Sequence, residues 1–236
     1  VARDCGVPIP LTRAVADIGE AEGVVAETGY PVVVKARFCT GSVATLMVRD
    51  RAGLEDALRQ LLGWPGGAVV QEYVPGASEP SFHTIVRSDL TPLLTWTLKK
   101  MRYAQSSLSV AFETTEPLPE APGLLETLRR LGLWGAGSLQ LKRDARTGEN
   151  KLLEINVRFG GNVRMFLPLA LRRGINPVVL ALRSGRADAP EHGPFPPGAV
   201  GVAPGQELGA VVAFLRAKLD GRGQWSDNPA PSVWAF

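Results

Sequence analysis

The sequence predicts an α+β protein built from two lobes. Three observations predict it. Apolar strand-like runs alternate with helical patterns over residues 1–75, consecutive strand-like segments then follow with no helix between them, and a Pro75-Gly76 bend separates the two patterns. A chain of 236 residues, 45% of them hydrophobic, is long enough for one large or two small domains with a substantial core.

The elements follow in order. Gly6-Val7-Pro8-Ile9-Pro10 is an extended leading segment, because each proline drives its predecessor out of the helical region. Residues 14–28 are rich in Ala and Glu and read as a helix that Gly29 stops. Val32-Val33-Val34 is a short apolar run of the buried-strand type, followed by a loop over 37–43 and a partner strand over 45–48. Leu54, Leu58, Leu61 and Leu62 recur at helical spacing, and residues 68–74 form another strand. The second half reads as strands over 81–87, 93–99 and 108–114 in an antiparallel sheet, then a helix over 124–131. A hairpin over 139–142 and 151–156 turns at Thr147-Gly148, and helices follow over 163–173 and 177–184. After Arg186 the composition shifts to Pro and Gly, a linker, before an amphipathic helix over 208–219. The expected domains are a small lobe over 1–75, a large lobe over 76–185, and a linker with a C-terminal helix over 186–236.

Composition excludes several function classes. With 26 basic and 23 acidic residues and no basic run, the chain lacks the electrostatic footprint of a nucleic-acid partner. Cys5 and Cys39 form no CxxC pair or His/Cys cluster, so neither a disulfide framework nor structural zinc is expected, and a reducing cytoplasm fits. No apolar stretch is long enough to span a membrane, and no signal-peptide pattern opens the chain. The chain begins at Val1 and stops on an apolar run, which reads as a piece of a longer protein.

The candidate chemistry lies at three places. Lys35 ends the first strand and Gly41-Ser42 follows in the next loop; a lysine beside a flexible turn suits a polyphosphate, or is a surface lysine beside a turn. In Val69-Val70-Gln71-Glu72-Tyr73-Val74-Pro75-Gly76, followed by Glu79, a planar base could lie on the strand backbone with Glu79 accepting from ribose hydroxyls; the alternative is an interior strand with two solvated glutamates. Glu154 and Asn156 sit two apart on one strand and share a face, and the hairpin could bring Gln140 beside them. Three oxygen donors on one face make a hard-cation site, with the planar Arg158 donor fork next to it for phosphate or carboxylate. The alternative is a polar sheet face on which a glutamate pairs with an arginine. There is no GxxxxGK[ST] and no GxGxxG.

Taken in order, "GVPIP", "VVVKA", the Gly-Ser loop, "VVQEYVPG" and "LLEINVRFGG" resemble an ATP-grasp domain from about Gly6 to Gly185. The large subunit of carbamoyl-phosphate synthetase and related carboxylate–amine ligases are similar in this order. The resemblance implies an ATP-grasp fold, two α+β lobes clamping ATP, with the N-terminal pre-ATP-grasp domain absent from this chain. It implies a ligase that activates a carboxylate as an acyl phosphate for attack by an amine, or a thiol, with ATP and Mg2+ (or Mn2+) as cofactors. Its partners would be small-molecule carboxylates and amines, not nucleic acid or membrane, and oligomeric state stays open. By the same resemblance Lys35, Gly41 and Ser42 meet phosphate, Glu72 and the Val74 backbone hold adenine, and Glu79 holds ribose. Gln140, Glu154 and Asn156 hold the metal, and Arg158 stabilises phosphate charge as the catalytic residue.

Departures from the family pattern leave a second reading open, a catalytically impaired nucleotide-binding module. Cys39 and Ala44 occupy loop positions where glycine is common, Val157 replaces the usual proline of Asn-Pro-Arg, and His83 stands where the hinge strand often carries an acid. A domain that binds no nucleotide is the weaker third.

Overall fold

A computed structural model describes residues 1–38, 44–103 and 109–203, with the backbone alone at 102, 103, 109 and 110. The described residues form two compact units: a smaller one within Ile9–Gly76 and Asp144–Lys151, and a larger one within Val1–Pro8, Ala77–Arg143 and 152–203. The expected helix over 208–219 lies outside the described residues.

The smaller unit contains β1 (Thr12–Val15), α1 (Ile18–Thr28), β2 (Val32–Ala36), β3 (Thr45–Val48), α2 (Arg51–Leu61) and β4 (Ala68–Glu72). Its antiparallel sheet has the order β1-β4-β2-β3. In β2 the alternation buries Val32, Val34 and Ala36 against the helices and turns Lys35 to the other face. The leucines at helical spacing do what their period predicts: Leu54, Leu58 and Leu61 are all buried, each contributing about 2 kcal/mol.

The helix expected over 14–28 begins only at Ile18, because the chain first pairs Ala14 and Val15 with Val69 and Ala68 of β4. Asp17 fixes the start: its Oδ1 accepts from the Glu20 N–H at 2.9 Å, and Glu20 Oε2 accepts from the Ala16 N–H at 2.7 Å.

The larger unit contains β5 (Pro80–Val86), β6 (Pro92–Tyr103), β7 (Ser109–Thr115), α3 (Ala121–Arg130), β8 (Gly135–Arg143), β9 (Asn150–Asn156), α4 (Val163–Leu171), α5 (Pro177–Arg183), β10 (Gly193–Pro194) and β11 (Val200–Val202). The first two residues of β9 belong to the smaller unit. The strand order is β11-β7-β6-β5-β8-β9, with β10 alongside β6. The stretch after Arg186 is therefore more than a linker: Gly193–Pro194 pairs with Leu94–Thr95, and Val200–Val202 with Ala111–Glu113. Each piece is too short and too proline-bounded to show an alternating pattern in the sequence.

β5 is buried along its whole length at the centre of this sheet. On one face, Ile85 sits between Leu94 and Ala136, His83 between Trp96 and Ser138, and Ser81 between Leu98 and Gln140. Trp96, Phe166 and Met165 belong to the core packed on this face by α4. Polarity on this face thus rises from Ile85 to Ser81, and Glu79 precedes the strand.

Candidate functional site

Glu154 and Asn156 alternate to the same face of β9, and Gln140 lies on the adjoining strand β8. Glu154 is exposed, and among the described residues it makes no ion pair or hydrogen bond. Arg158 is also exposed; its Nη1 donates to the Phe159 carbonyl at 3.1 Å, and no described carboxylate pairs with it. Among the described residues Glu154 and Arg158 do not pair with each other. Gln140 Nε2 donates to Ser138 Oγ at 3.1 Å, which leaves the amide oxygen as the group a cation would take. One carboxylate with two amide oxygens fits a hard cation that completes its shell with phosphate oxygens. It does not fit zinc: no group of three or more His, Cys, Asp or Glu occurs among the described residues.

Glu79, the expected ribose contact, lies immediately before β5. Its Oε2 accepts from Lys100 Nζ at 2.9 Å, and Lys142 Nζ lies 3.9 Å from Oε1. Lys142 was not foreseen from the sequence; the signal was its spacing two residues beyond Gln140, which puts both on one face.

In the smaller unit, Lys35 Nζ donates to Gln71 Oε1 at 2.7 Å, and Gln71 Nε2 donates to Thr12 Oγ1 at 2.9 Å. Gly41 and Ser42 lie outside the described residues, as does Cys39. Glu72 is engaged at both oxygens. Oε2 accepts from the Leu11 N–H at 3.1 Å, while Oε1 accepts from Arg146 Nη2 at 2.6 Å and Lys151 Nζ at 2.8 Å. Burial would raise this carboxyl, but the bonds from Lys151, the Leu11 amide and Arg146 outweigh it and hold the group below its ordinary value. Val74, just past β4, has no backbone–backbone hydrogen bond among the described residues.

The same two cations hold Asp144, whose side chain is wholly buried. The Arg146 hydrogen bond is the main reason that its carboxyl lies far below the ordinary range, against the opposing cost of burial. This four-residue network of Glu72, Asp144, Arg146 and Lys151 ties the turn after β8 to the end of β4, and it was not legible in the sequence.

A cavity of about 500 Å³ opens on the other face of the larger sheet, lined by Phe82, Thr97, Thr115, Leu118 and Leu125 among others. No titratable side chain lines it, and Phe82 and Thr97 point away from Ser81 and Gln140. It lacks the groups that phosphate chemistry needs.

The chain is 27% identical over 183 residues to a D-alanine–D-alanine ligase of Marinobacter nauticus, covering 73% of this chain and 55% of the ligase. It is 24% identical over 163 residues to the N-terminal section of a carbamoyl phosphate synthase large chain of Methanopyrus kandleri, covering 65% of this chain and 29% of that protein. It thus spans little more than half of the ligase's length and less of the synthase's. No protein-family model matches it. Among solved structures, the biotin carboxylase domain of a Hydrogenobacter thermophilus 2-oxoglutarate carboxylase superposes with a TM-score of 0.69 at 16% identity, covering 82% of this chain and 45% of that one. N5-carboxyaminoimidazole synthetase of Staphylococcus aureus superposes with a TM-score of 0.59 at 11% identity, covering 70% and 45%. The fold is ATP-grasp, and the chain is a relative of the ATP-grasp ligases.

Proposed function

We propose that this chain is the ATP-binding, catalytic part of a ligase that activates a carboxylate as an acyl phosphate and passes the acyl group to an amine or similar nucleophile. The observation that carries the proposal is Glu154: an exposed carboxylate without a cationic partner among the described residues, sharing a face with Asn156 and followed by an arginine without a carboxylate partner. The likeness to ligases supports it. One of the structural neighbours was solved with MgADP and bicarbonate, so its ATP-grasp fold holds a nucleotide, magnesium and a carboxylate-like anion.

In this proposal Gln140, Glu154 and Asn156 hold magnesium, which when bound neutralises phosphate charge. Lys35 sets a point charge against the phosphates, together with the loop of Gly41 and Ser42. Glu72, the Val74 backbone and Glu79 receive the nucleoside. A substrate carboxylate oxygen attacks the γ-phosphorus, the bond to the ADP oxygen breaks, and Arg158 donates to the phosphoryl oxygens as charge spreads over them. The amine then attacks the acyl carbon and inorganic phosphate leaves. Little covalent chemistry falls to the protein; positioning and charge stabilisation are its contribution. The substrates would be small carboxylates and amines, and a cytoplasmic setting suits ATP. Among the described residues no helix is long and apolar enough to cross a membrane.

Phosphate release from ATP, measured with a panel of carboxylates and amino acids, tests this. We expect Glu154→Ala to abolish magnesium-dependent release while the protein still melts cooperatively. Undiminished release in that variant would reject the assignment. A protein that binds ATP but releases no phosphate with any acceptor would be the impaired nucleotide-binding module, a reading favoured by the engagement of Glu72 and Lys35 with neighbouring side chains.

A further inference from the structure

His83 is the least expected residue on the polar face, and its surroundings give it a task. The ring is 1% exposed. Its Nε2 lies 2.9 Å from Ser81 Oγ and 3.2 Å from Asn162 Nδ2. With the Asn162 amide oriented so that its nitrogen faces the ring, Nε2 is the acceptor and the ring proton sits on Nδ1. One face of the ring stacks on Trp96, and Trp96 stacks in turn on Phe166 of α4, with centroids 4.4 Å apart and planes 2° from parallel.

Asn162 is the N-cap residue of α4, yet its side chain makes no cap hydrogen bond. Asparagine at this position ordinarily accepts from the helix N–H groups and stabilises the helix by about 1 kcal/mol. Here it turns away to His83 and leaves Oδ1 buried without a partner among the described residues. A local preference set aside inside a packed core is the kind of conflict that accompanies a functional constraint. Gly160 completes the arrangement: a Cβ there would stand 2.9 Å from Asn162 Oδ1, 2.9 Å from Ser138 Oγ and 3.3 Å from His83 Cε1. A side chain at that position would press on the asparagine, the serine and the histidine together.

The stretch from Asn156 to Asn162 is thus held at both ends, by the β9 ladder at one and by the His83–Asn162 bond with the Trp96–Phe166 stack at the other. Arg158 lies between them. We propose that His83 is a positioning residue: through Asn162 it fixes the 157–161 turn and so the aim of Arg158 and Asn156 at the phosphates. This rests on the ligase reading given above. His83 touches no reacting atom and is not a base. Its Nε2 is engaged by the serine and the asparagine, and one face of the ring is covered by Trp96.

The test uses the whole chain with His83→Leu, His83→Gln and Asn162→Leu, ATP with magnesium as the probe, and two readouts. The first is turnover. His83→Leu should lower kcat for phosphate release by about tenfold while the KM for ATP moves less than about threefold, because orientation and not nucleoside binding is lost. Glutamine keeps an acceptor for Asn162 and should restore most of the loss. Combining His83→Leu with Asn162→Leu should cost no more than either alone. The second readout does not need activity: amide hydrogen exchange over residues 157–162 should quicken in His83→Leu and Asn162→Leu, but not in His83→Gln. Unchanged kcat and exchange in His83→Leu would overturn the proposal, as would additive losses or a failure of glutamine to rescue. A wild-type chain that turns over no ATP, yet shows the expected exchange pattern, would sink the ligase reading while keeping the anchoring of the turn. If His83→Leu does not fold, the glutamine and Asn162 variants decide.

Discussion

The His83 imidazole lies against the Trp96 indole with ring centroids 5.1 Å apart and planes 11° from parallel, sealed from solvent in the centre of the larger sheet. Burial, reinforced by the positive charge of Lys100, pushes its pKa down to about 3 from an ordinary 6.5. Between those values the unfolded chain binds a proton at His83 that the folded chain refuses, so stability rises with pH through this window. The contribution is complete above pH 6.5 and falls by about 1.4 kcal/mol for each pH unit below it. Urea unfolding at pH 6.5 and pH 5.5 should show this decline in the wild type and a much smaller one in His83→Gln.

Asp144 gives a second acid-sensitive contribution, from the opposite kind of group. Its wholly buried carboxylate pairs with Arg146 at 2.6 Å and Lys151 at 3.1 Å, and both it and Glu72 are held below their ordinary pKa values. Groups depressed in this way stabilise the fold above the ordinary carboxylate range and lose that effect as pH falls through it. Asp144→Ala removes the shared acceptor and leaves Lys151 half-stranded. We expect a loss of about 3 kcal/mol, measured by chemical denaturation at neutral pH.

Gly123 should reverse a familiar rule. It lies in α3, where glycine to alanine normally stabilises a helix by about 1 kcal/mol. Here an added Cβ would stand 2.5 Å from the Cys5 carbonyl oxygen and 2.9 Å from Val7 Cγ2. Backbone cannot give way as a flexible side chain can. Gly123→Ala should therefore destabilise by about 1–3 kcal/mol, seen as a lower Tm.

What could be read in the sequence was whatever repeats at a fixed period. The Val32-Val33-Val34 run, the leucines of α2 and the two-residue spacing of Glu154 and Asn156 each carry their placement in their own spacing. The fold class and the ligase likeness followed from these motifs in order. β1 was not legible, because Thr12-Arg13-Ala14-Val15 is short and borrows its pairing from β4, 53 or more residues away. The Glu72–Asp144–Arg146–Lys151 network was not legible for the same reason: its members are brought together by chain reversal, not by spacing. Asn162 was hidden differently, since an asparagine before a helix looks like a cap and only coordinates show it facing a histidine.

Manganese binding in the presence of ATP, followed by electron paramagnetic resonance in the wild type and in Glu154→Ala, tests the central claim most directly. The wild type should hold the ion only when ATP is added, because one carboxylate and two amide oxygens are a weak site without phosphate. Glu154→Ala should lose at least about tenfold in affinity for the ion–nucleotide pair. Equal binding by the two proteins would place the cation elsewhere and contradict the site assigned to Gln140, Glu154 and Asn156.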